Sequence, residues 1–410
     1  MKGPTVQSIF HYACHTLALR TFLDQPGDGR TQPEIPAACL SWALLIGAIL
    51  RIGSANRLEW LARSADRKEL GLASGFGDDA LAYFTERVDP EVVRQRSAAT
   101  LKLAKYNKVF AQTAFIGLAI DGTGAGRTTK EACPLCHPVK DSNGNTICQL
   151  HYFVMVSVVG AGITLPFDVE PYESGDSEYA AGMRVLKRST EHVGPRFADY
   201  VVVDGKFATA PFLHAADELD VPAIARLKDN LPELSAAVEA RFGQQPPAAT
   251  FEHGEDRIEV WDADDFDPWE TLAWPTVRVM RYRQHKRDGT VIQADWLTNF
   301  SIARLGTQTF FKLAKSRWEI ENQGFNDGKN LYGMEHIQHH HPNSMLVNWL
   351  FLLLALMIER PYRNRYLHRG THLILTAIQL KDTLWLHLRP AHADTSGCRA
   401  AAIARCRTDL

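Results

Sequence analysis

Apolar and polar positions change their period near residue 110. Before it the apolar residues recur at helical spacing. Ser41 to Arg51 is a greasy helix closed near Gly53, and Ser54 caps a second helix carrying Leu58, Trp60 and Leu61. Asp78 or Asp79 caps a third, with Leu81, Phe84 and Val88 on its apolar side. After residue 110 short β-branched runs take over. Phe115 to Gly124 (FIGLAIDGTG) runs apolar into Asp121, and the glycines that follow predict a sharp turn. Leu150 to Val159 and Ile163 to Val169 are two further strands, separated by Gly160 and Gly162. Tyr200 to Gly205 (YVVVDG) and Val221 to Leu227 are a fourth and a fifth. Ser177 to His192, with Tyr179, Met183 and Leu186 on one face, and Phe207 to Leu219 predict the intervening helices.

Three strands, a helix, a strand, a helix and a strand is the element order of a ribonuclease H-like fold, an α/β mixed sheet flanked by helices. Pro232 to Phe300 interrupts it with strand-like runs, turns at His253-Gly254 and Asp288-Gly289, and tryptophans at 261, 269, 274 and 296. The predicted organisation is a helical N-terminal domain (1–110), the first part of the core (111–229), a β-rich insertion (230–300), the second part of the core with a helix from Ser316 to Lys329 (301–372), and a tail (373–410) whose Cys398 to Arg407 end is expected to be poorly ordered. A helix, a glycine-containing turn and a second helix in the first domain is compatible with a DNA-binding helix-turn-helix, an arrangement every helical bundle shares.

Composition narrows the class. At 410 residues with 45% hydrophobic positions, the chain can bury a large core. Met1 to Arg20 lacks the pattern of a signal peptide. The longest apolar run, Met345 to Ile358, is broken by Asn348 and is shorter than the ~20 residues of a membrane span. A buried helix and no membrane partner are expected. Seven cysteines without a secretory signal point to a reducing cytoplasm. The net charge of −2 gives no bulk attraction to nucleic acid, so only local basic runs count: Lys102, Lys105 and Lys108 at helical spacing, and Arg360, Arg363, Arg365 and Arg369. Taken alone, each such run reads as a solvated face.

Candidate chemistry sits at the strand ends. Asp121 and Asp204 close two β-branched runs, and Glu321 lies one helical turn after Arg317. Two aspartates and a glutamate together make a hard-oxygen site for Mg²⁺ or Mn²⁺. Two such ions, about 3.5–4 Å apart, would serve in-line displacement at phosphorus.

Cys133-Pro-Leu-Cys136 followed by Cys148-Gln-Leu-His151 has the paired spacing of a small zinc knuckle. Gly122, Gly124 and Gly126 lack the Gly-Lys-Ser/Thr ending of a nucleotide loop. Asp262, Asp264, Asp265 and Asp267 lack the pattern of a calcium loop and read as a solvated turn. His336 and His339 to His341 could bind metal, but a polar loop before a helix start at Pro342 accounts for them as well.

Over roughly residues 75 to 365 the chain resembles the DDE transposases of bacterial insertion sequences, in the group with a β-strand insertion before the catalytic glutamate. The carriers are AIDGTG at Asp121, VVVDGKF at Asp204, and RWEIEN with GFNDGKNLYGMEH from Arg317 to His336. The Arg-Trp-x-Ile-Glu string selects Glu321 over Glu319 as the third acid. The group's helix signature has a tyrosine and a lysine at set spacings. Here Ala314 holds the tyrosine slot and Gly328 the lysine slot, with Lys329 one further on, so a one-residue bulge near Gly324 would restore the register. The resemblance implies a phosphate contact from Lys329, and Arg317, one turn before Glu321, fits either a phosphate contact or an ion pair that orients the acid. The resemblance also implies a tryptophan, one of Trp261, Trp269 and Trp274, stacked on a base flipped out of the transposon end.

The expected function is a Mg²⁺-dependent transposase. It would bind terminal inverted repeats through the N-terminal helices, cut there, and join the freed 3′ ends to target DNA as a dimer on DNA. A nuclease using the same acids without strand transfer and a catalytically inactive DNA-binding derivative are the alternatives.

Overall fold

The computed structural model describes residues 4–110, 113–129, 133–228, 230–368, 373–374 and 376–388. Ten strands form one mixed sheet: β1 (Gly117–Thr128), β2 (His137–Lys140), β3 (Thr146–Val159), β4 (Leu165–Pro171), β5 (Tyr200–Val203), β6 (Ala223–Leu227), β7 (Ala249–His253), β8 (Asp256–Phe266), β9 (Val277–His285) and β10 (Val291–Thr298). β3 pairs antiparallel with both β1 and β4, whereas β1, β5 and β6 run parallel. The length of β3 lets it serve two partners on one side, β2 near its start and β4 near its end. All four residues of β5, YVVV, are buried, as a central parallel strand requires. The α/β core with flanking helices expected from the element order is present.

The insertion does not fold aside. β10 pairs antiparallel with β6, placing Thr298 opposite Ile224 and Asp295 opposite Leu227, and β9, β8 and β7 follow in turn. It opens with a helix, Pro232–Phe242, that the β-rich reading of 230–300 does not include. Pro232 occupies the first turn, and Leu234, Val238 and Phe242 supply a buried stripe at helical spacing.

Three further local expectations change. β1 continues past Asp121 instead of turning, because Gly122, Thr123 and Gly124 still pair with β3; the irregularity comes later, between Gly124 and Arg127. The third N-terminal helix, Asp78–Arg87, is preceded by Gly77 with no side-chain cap. The acidic run is not all solvated either. Asp262 lies within β8 and pairs with Arg278 at 2.5 Å, the two side chains being 2% and 1% exposed. Thr307 Oγ1 also donates to it at 2.7 Å.

The N-terminal helices Ala37–Ile49, Asp78–Arg87 and Pro90–Tyr106 pack on the long helix Pro342–Tyr362, which in turn lies on β4. The segment Pro342–Leu367 has the length and hydropathy of a membrane span, but it is mostly buried inside the fold. Charges reinforce this junction. Buried Asp168 of β4 accepts from Arg94 at 3.0 Å and from Arg188 at 2.9 Å, joining the helices Pro90–Tyr106 and Glu178–Val193 to one strand. Arg360 is likewise no solvated cation. It donates to the Thr164 carbonyl at 2.6 Å and to Asp327 at 3.2 Å, and Arg363 pairs with Glu359 at 2.8 Å. Lys102, Lys105 and Lys108 are exposed, with Lys105 held to the carbonyls of Arg196 and Phe197. Arg369 and the Cys398 to Arg407 end lie outside the described residues; the tail begins with the helix Ala377–Leu388.

Candidate functional site

Ile120 of β1 stands opposite Val203 of β5 in parallel pairing, and an aspartate follows each. Neighbouring strands lie about 4.8 Å apart, so register alone brings Asp121 and Asp204 to the same level. Asp204 leaves the sheet at the head of a short 3-10 turn, Gly205–Phe207.

The third acid arrives from a segment that changes pitch. Arg317–Glu319 is α-helical and Ile320–Asn326 is π-helical, an extra residue per turn that includes Gly324. Arg317 joins two of the acids. Its Nη1 donates to Asp121 Oδ2 at 3.1 Å and its Nη2 to Glu321 Oε1 at 2.6 Å. The guanidinium is buried, where a planar fork with two carboxylates is favoured over a single ammonium. Glu319 points elsewhere. It accepts from the Gly160 amide at 3.1 Å and from Thr164 Oγ1 at 2.9 Å, bracing the turn between β3 and β4.

Three more charged residues surround the acids. Lys228, just after β6, donates to Asp204 Oδ2 at 2.8 Å. Glu178, the first residue of the helix Glu178–Val193, packs over Gly122: a Cβ there would lie 2.5 Å from the Glu178 carboxyl carbon, so a larger residue would push the Glu178 side chain aside. Lys206 pairs with Glu178 at 3.1 Å. Burial pushes the Asp121 carboxyl up to about 6; Arg317 opposes this, while Glu321 and Glu178 add to it. Burial also raises Asp204, but the Lys228 ammonium and the Gly205 amide outweigh it and hold this carboxyl below its usual range.

Crowded carboxylates, one of them pushed toward neutrality by burial and like charge, form a donor set that a hard divalent cation relieves. Asp121, Asp204 and Glu321 therefore fit Mg²⁺ or Mn²⁺.

The sequence reading missed Glu178, Lys206 and Lys228. Lys206 was within reach of it, two residues after Asp204. Lys228 follows β6 as Asp204 follows the neighbouring strand β5.

The other candidates are placed differently. Lys329 pairs with Glu335 at 2.6 Å. Trp261 and Trp274 are core residues, donating to the Gln245 carbonyl at 2.8 Å and to Asp217 at 2.6 Å, so neither ring is offered to a base. Trp269 is half-buried against the core.

The cysteine pattern is also corrected. Cys133, Cys136 and His151 converge, but the fourth member is His340, from the loop before Pro342. Cys148 pairs across from Val139 and lies three residues before His151 on β3, hence on the opposite face.

Carboxylates from two adjacent strands and a helix meet on a mixed sheet flanked by helices, the architecture of the ribonuclease H-like class. The chain matches the family model of the transposase DDE domain over residues 115–358, and it belongs to that family. A solved structure similar to it is the synaptic complex of piggyBac transposase with hairpin DNA. It shares 10% identity at a TM-score of 0.43, over 94% of this chain and 78% of that one. No curated protein matches the sequence significantly.

Proposed function

We propose that this DDE transposase mobilises an insertion sequence, cutting DNA at terminal inverted repeats and joining the 3′ ends to a target, with Asp121, Asp204 and Glu321 as its catalytic acids. One observation carries the reading: Arg317, itself one turn from Glu321, reaches Asp121 across 196 residues of sequence and so ties the two acids together, while Asp204 lies beside Asp121 through strand register. These three side chains would hold two Mg²⁺ or Mn²⁺ ions. When bound, such ions activate the attacking oxygen and stabilise the leaving one.

The chain's own residues provide the setting. Arg317 fixes the direction of two carboxylates, Lys228 keeps Asp204 ionised, and Lys206 and Lys228 place positive charge where a DNA phosphate approaches. Trp269, the least covered of the three candidate indoles, is the one proposed to stack on an extruded base. The N-terminal helices and exposed Lys102, Lys105 and Lys108 are proposed to track the repeat. Two ends must be cut together, so the working form on DNA is a homodimer.

The test is cleavage of a labelled duplex carrying the element's own terminal repeat, with Mg²⁺, by the parent and by Asp121→Ala, Asp204→Ala and Glu321→Ala. Nicking at the repeat boundary by the parent alone, with binding retained throughout, supports the reading. Joining of the cut 3′ end to a target plasmid then separates transposition from plain hydrolysis. Cutting by any of the three variants at the parental rate overturns the assignment of that acid.

A further inference from the structure

We infer that Cys133, Cys136, His151 and His340 form a structural zinc site that clamps β3, the neighbour of the Asp121 strand, and the loop between β1 and β2 to the segment that follows Glu321.

The spacing of the four ligand atoms is the first argument. With Zn–S of about 2.3 Å and Zn–N of about 2.0–2.1 Å, a tetrahedron has edges of about 3.8 Å between sulfurs, about 3.6 Å between sulfur and nitrogen, and about 3.3 Å between nitrogens. In the protein the two sulfurs are 3.6 Å apart. Cys133 Sγ and Cys136 Sγ lie 3.5 and 3.3 Å from His151 Nε2, and Cys136 Sγ lies 3.6 Å from His340 Nε2. The two imidazole nitrogens are 3.2 Å apart. All four atoms fall within 4.8 Å of one another, with Cys136 and His151 buried. Five edges thus match one tetrahedral ion, and two thiolates with two imidazoles select zinc among common cations.

The surroundings are those of built ligands. The Cys133 amide donates to Cys136 Sγ at 3.2 Å, the contact that steadies a thiolate. His151 Nδ1 lies 3.4 Å from the Gly126 carbonyl, which fixes the ring so that Nε2 faces the cluster.

Position gives the site its role. Gly126 belongs to β1, five residues after Asp121, at φ +112°, and a Cβ there would sit 2.4 Å from the Glu335 carbonyl. Glu335 pairs with Lys329 at the end of the Glu321 segment, and His340 follows in the same loop. A metal at this point joins β3 and the loop between β1 and β2 to the chain leaving the third acid, a cross-link of 189 residues between the two histidines. It acts on the candidate active site from outside, by holding its two halves together.

The experiment measures metal first. Protein purified without chelator should carry one zinc per chain by mass spectrometry of the metals. Cobalt substitution should give tetrahedral visible bands with thiolate charge transfer. Cys136→Ser and His340→Ala should lose the metal, and Cys148→Ser should keep it. His340→Cys should restore binding and raise the thiolate band by about half, from two sulfurs to three, which guards against variants that merely misfold.

A parent that takes up no zinc after reconstitution overturns the inference. So does a Cys148→Ser protein that loses zinc as Cys136→Ser does. The positional role rests on the transposase reading and is read separately: His340→Ala should cut more slowly at saturating Mg²⁺, whereas zinc content is indifferent to whether the protein cuts at all.

Discussion

Arg317 and Glu321 are joined at 2.6 Å one turn apart, and the same guanidinium reaches Asp121, so the third acid is oriented by an arginine that also holds the first. A lysine cannot span both carboxylates with a planar fork. Arg317→Lys should therefore keep the fold but slow single-turnover cleavage about 10- to 100-fold, the usual cost of losing a partner that orients metal ligands. Circular dichroism and a repeat-cleavage time course check this. Parental cutting by Arg317→Lys would show that the bridge is dispensable.

Asp121 should trade stability for function. Its folded carboxyl is raised to about 6, above its unfolded value, so the folded state holds this proton more tightly. The stability this provides is present at low pH and is lost as pH rises through about 6. By pH 8 the ionised, metal-free site costs on the order of 2–3 kcal/mol. Asp121→Asn should abolish cutting yet melt higher than the metal-free parent at pH 8, with the gap closing toward pH 4. Equal gaps at both pH values would contradict the electrostatic account.

Glu319 and Glu321 are two residues apart and face different partners. Glu321→Gln should lower cleavage by at least about 10²-fold. Glu319→Gln, which keeps an oxygen for Gly160 or Thr164, should cut nearly normally. The two variants assayed side by side decide it; a dead Glu319→Gln protein of normal melting temperature would reverse the assignment.

Asp262 neutralises Arg278 in the interior. Asp262→Ala leaves that guanidinium uncompensated and should cost about 3–5 kcal/mol in chemical denaturation. Exposed Asp264 and Asp267 replaced in the same way should each change stability by less than about 0.5 kcal/mol.

What could be read in the sequence follows from how local each signal is. Asp204 was visible because a β-branched run that closes on Asp-Gly announces a strand end; the same signal marked Asp121 although β1 runs on past it, and Glu321 was marked by the resemblance carried by the Arg-Trp-x-Ile-Glu string. The extra residue near Gly324 was visible as a register mismatch and is realised as a π-helical turn. The helix Pro232–Phe242 carried its own signs, a proline at the start and an Ala/Glu/Leu-rich body, but the strands beyond it dominated the reading. Asp262 looked solvated because its partner Arg278 lies on the next strand of the sheet. His340 could not be paired with His151 from spacing, since only the packing of the loop before Pro342 against β3 brings them together. Trp261 and Trp274 were open as DNA contacts until their indole donors were seen satisfied inside the core.

The pairing of β10 with β6 makes the insertion a round trip. The chain departs after Leu227 and returns at Asp295, directly opposite, having gone out through the helix Pro232–Phe242 to β7 at the far edge and come back through β8 and β9. Its outbound and homeward ends share one address on the sheet, and the helix Thr307–Lys315 that comes next lies on the excursion's strands, with Phe311 against Phe251 and His253 of β7 and Tyr282 of β9. The excursion is thus the floor on which the segment carrying Arg317 and Glu321 is laid, with Lys315 held to Gln284 of β9 and Trp318 against Trp296 of β10.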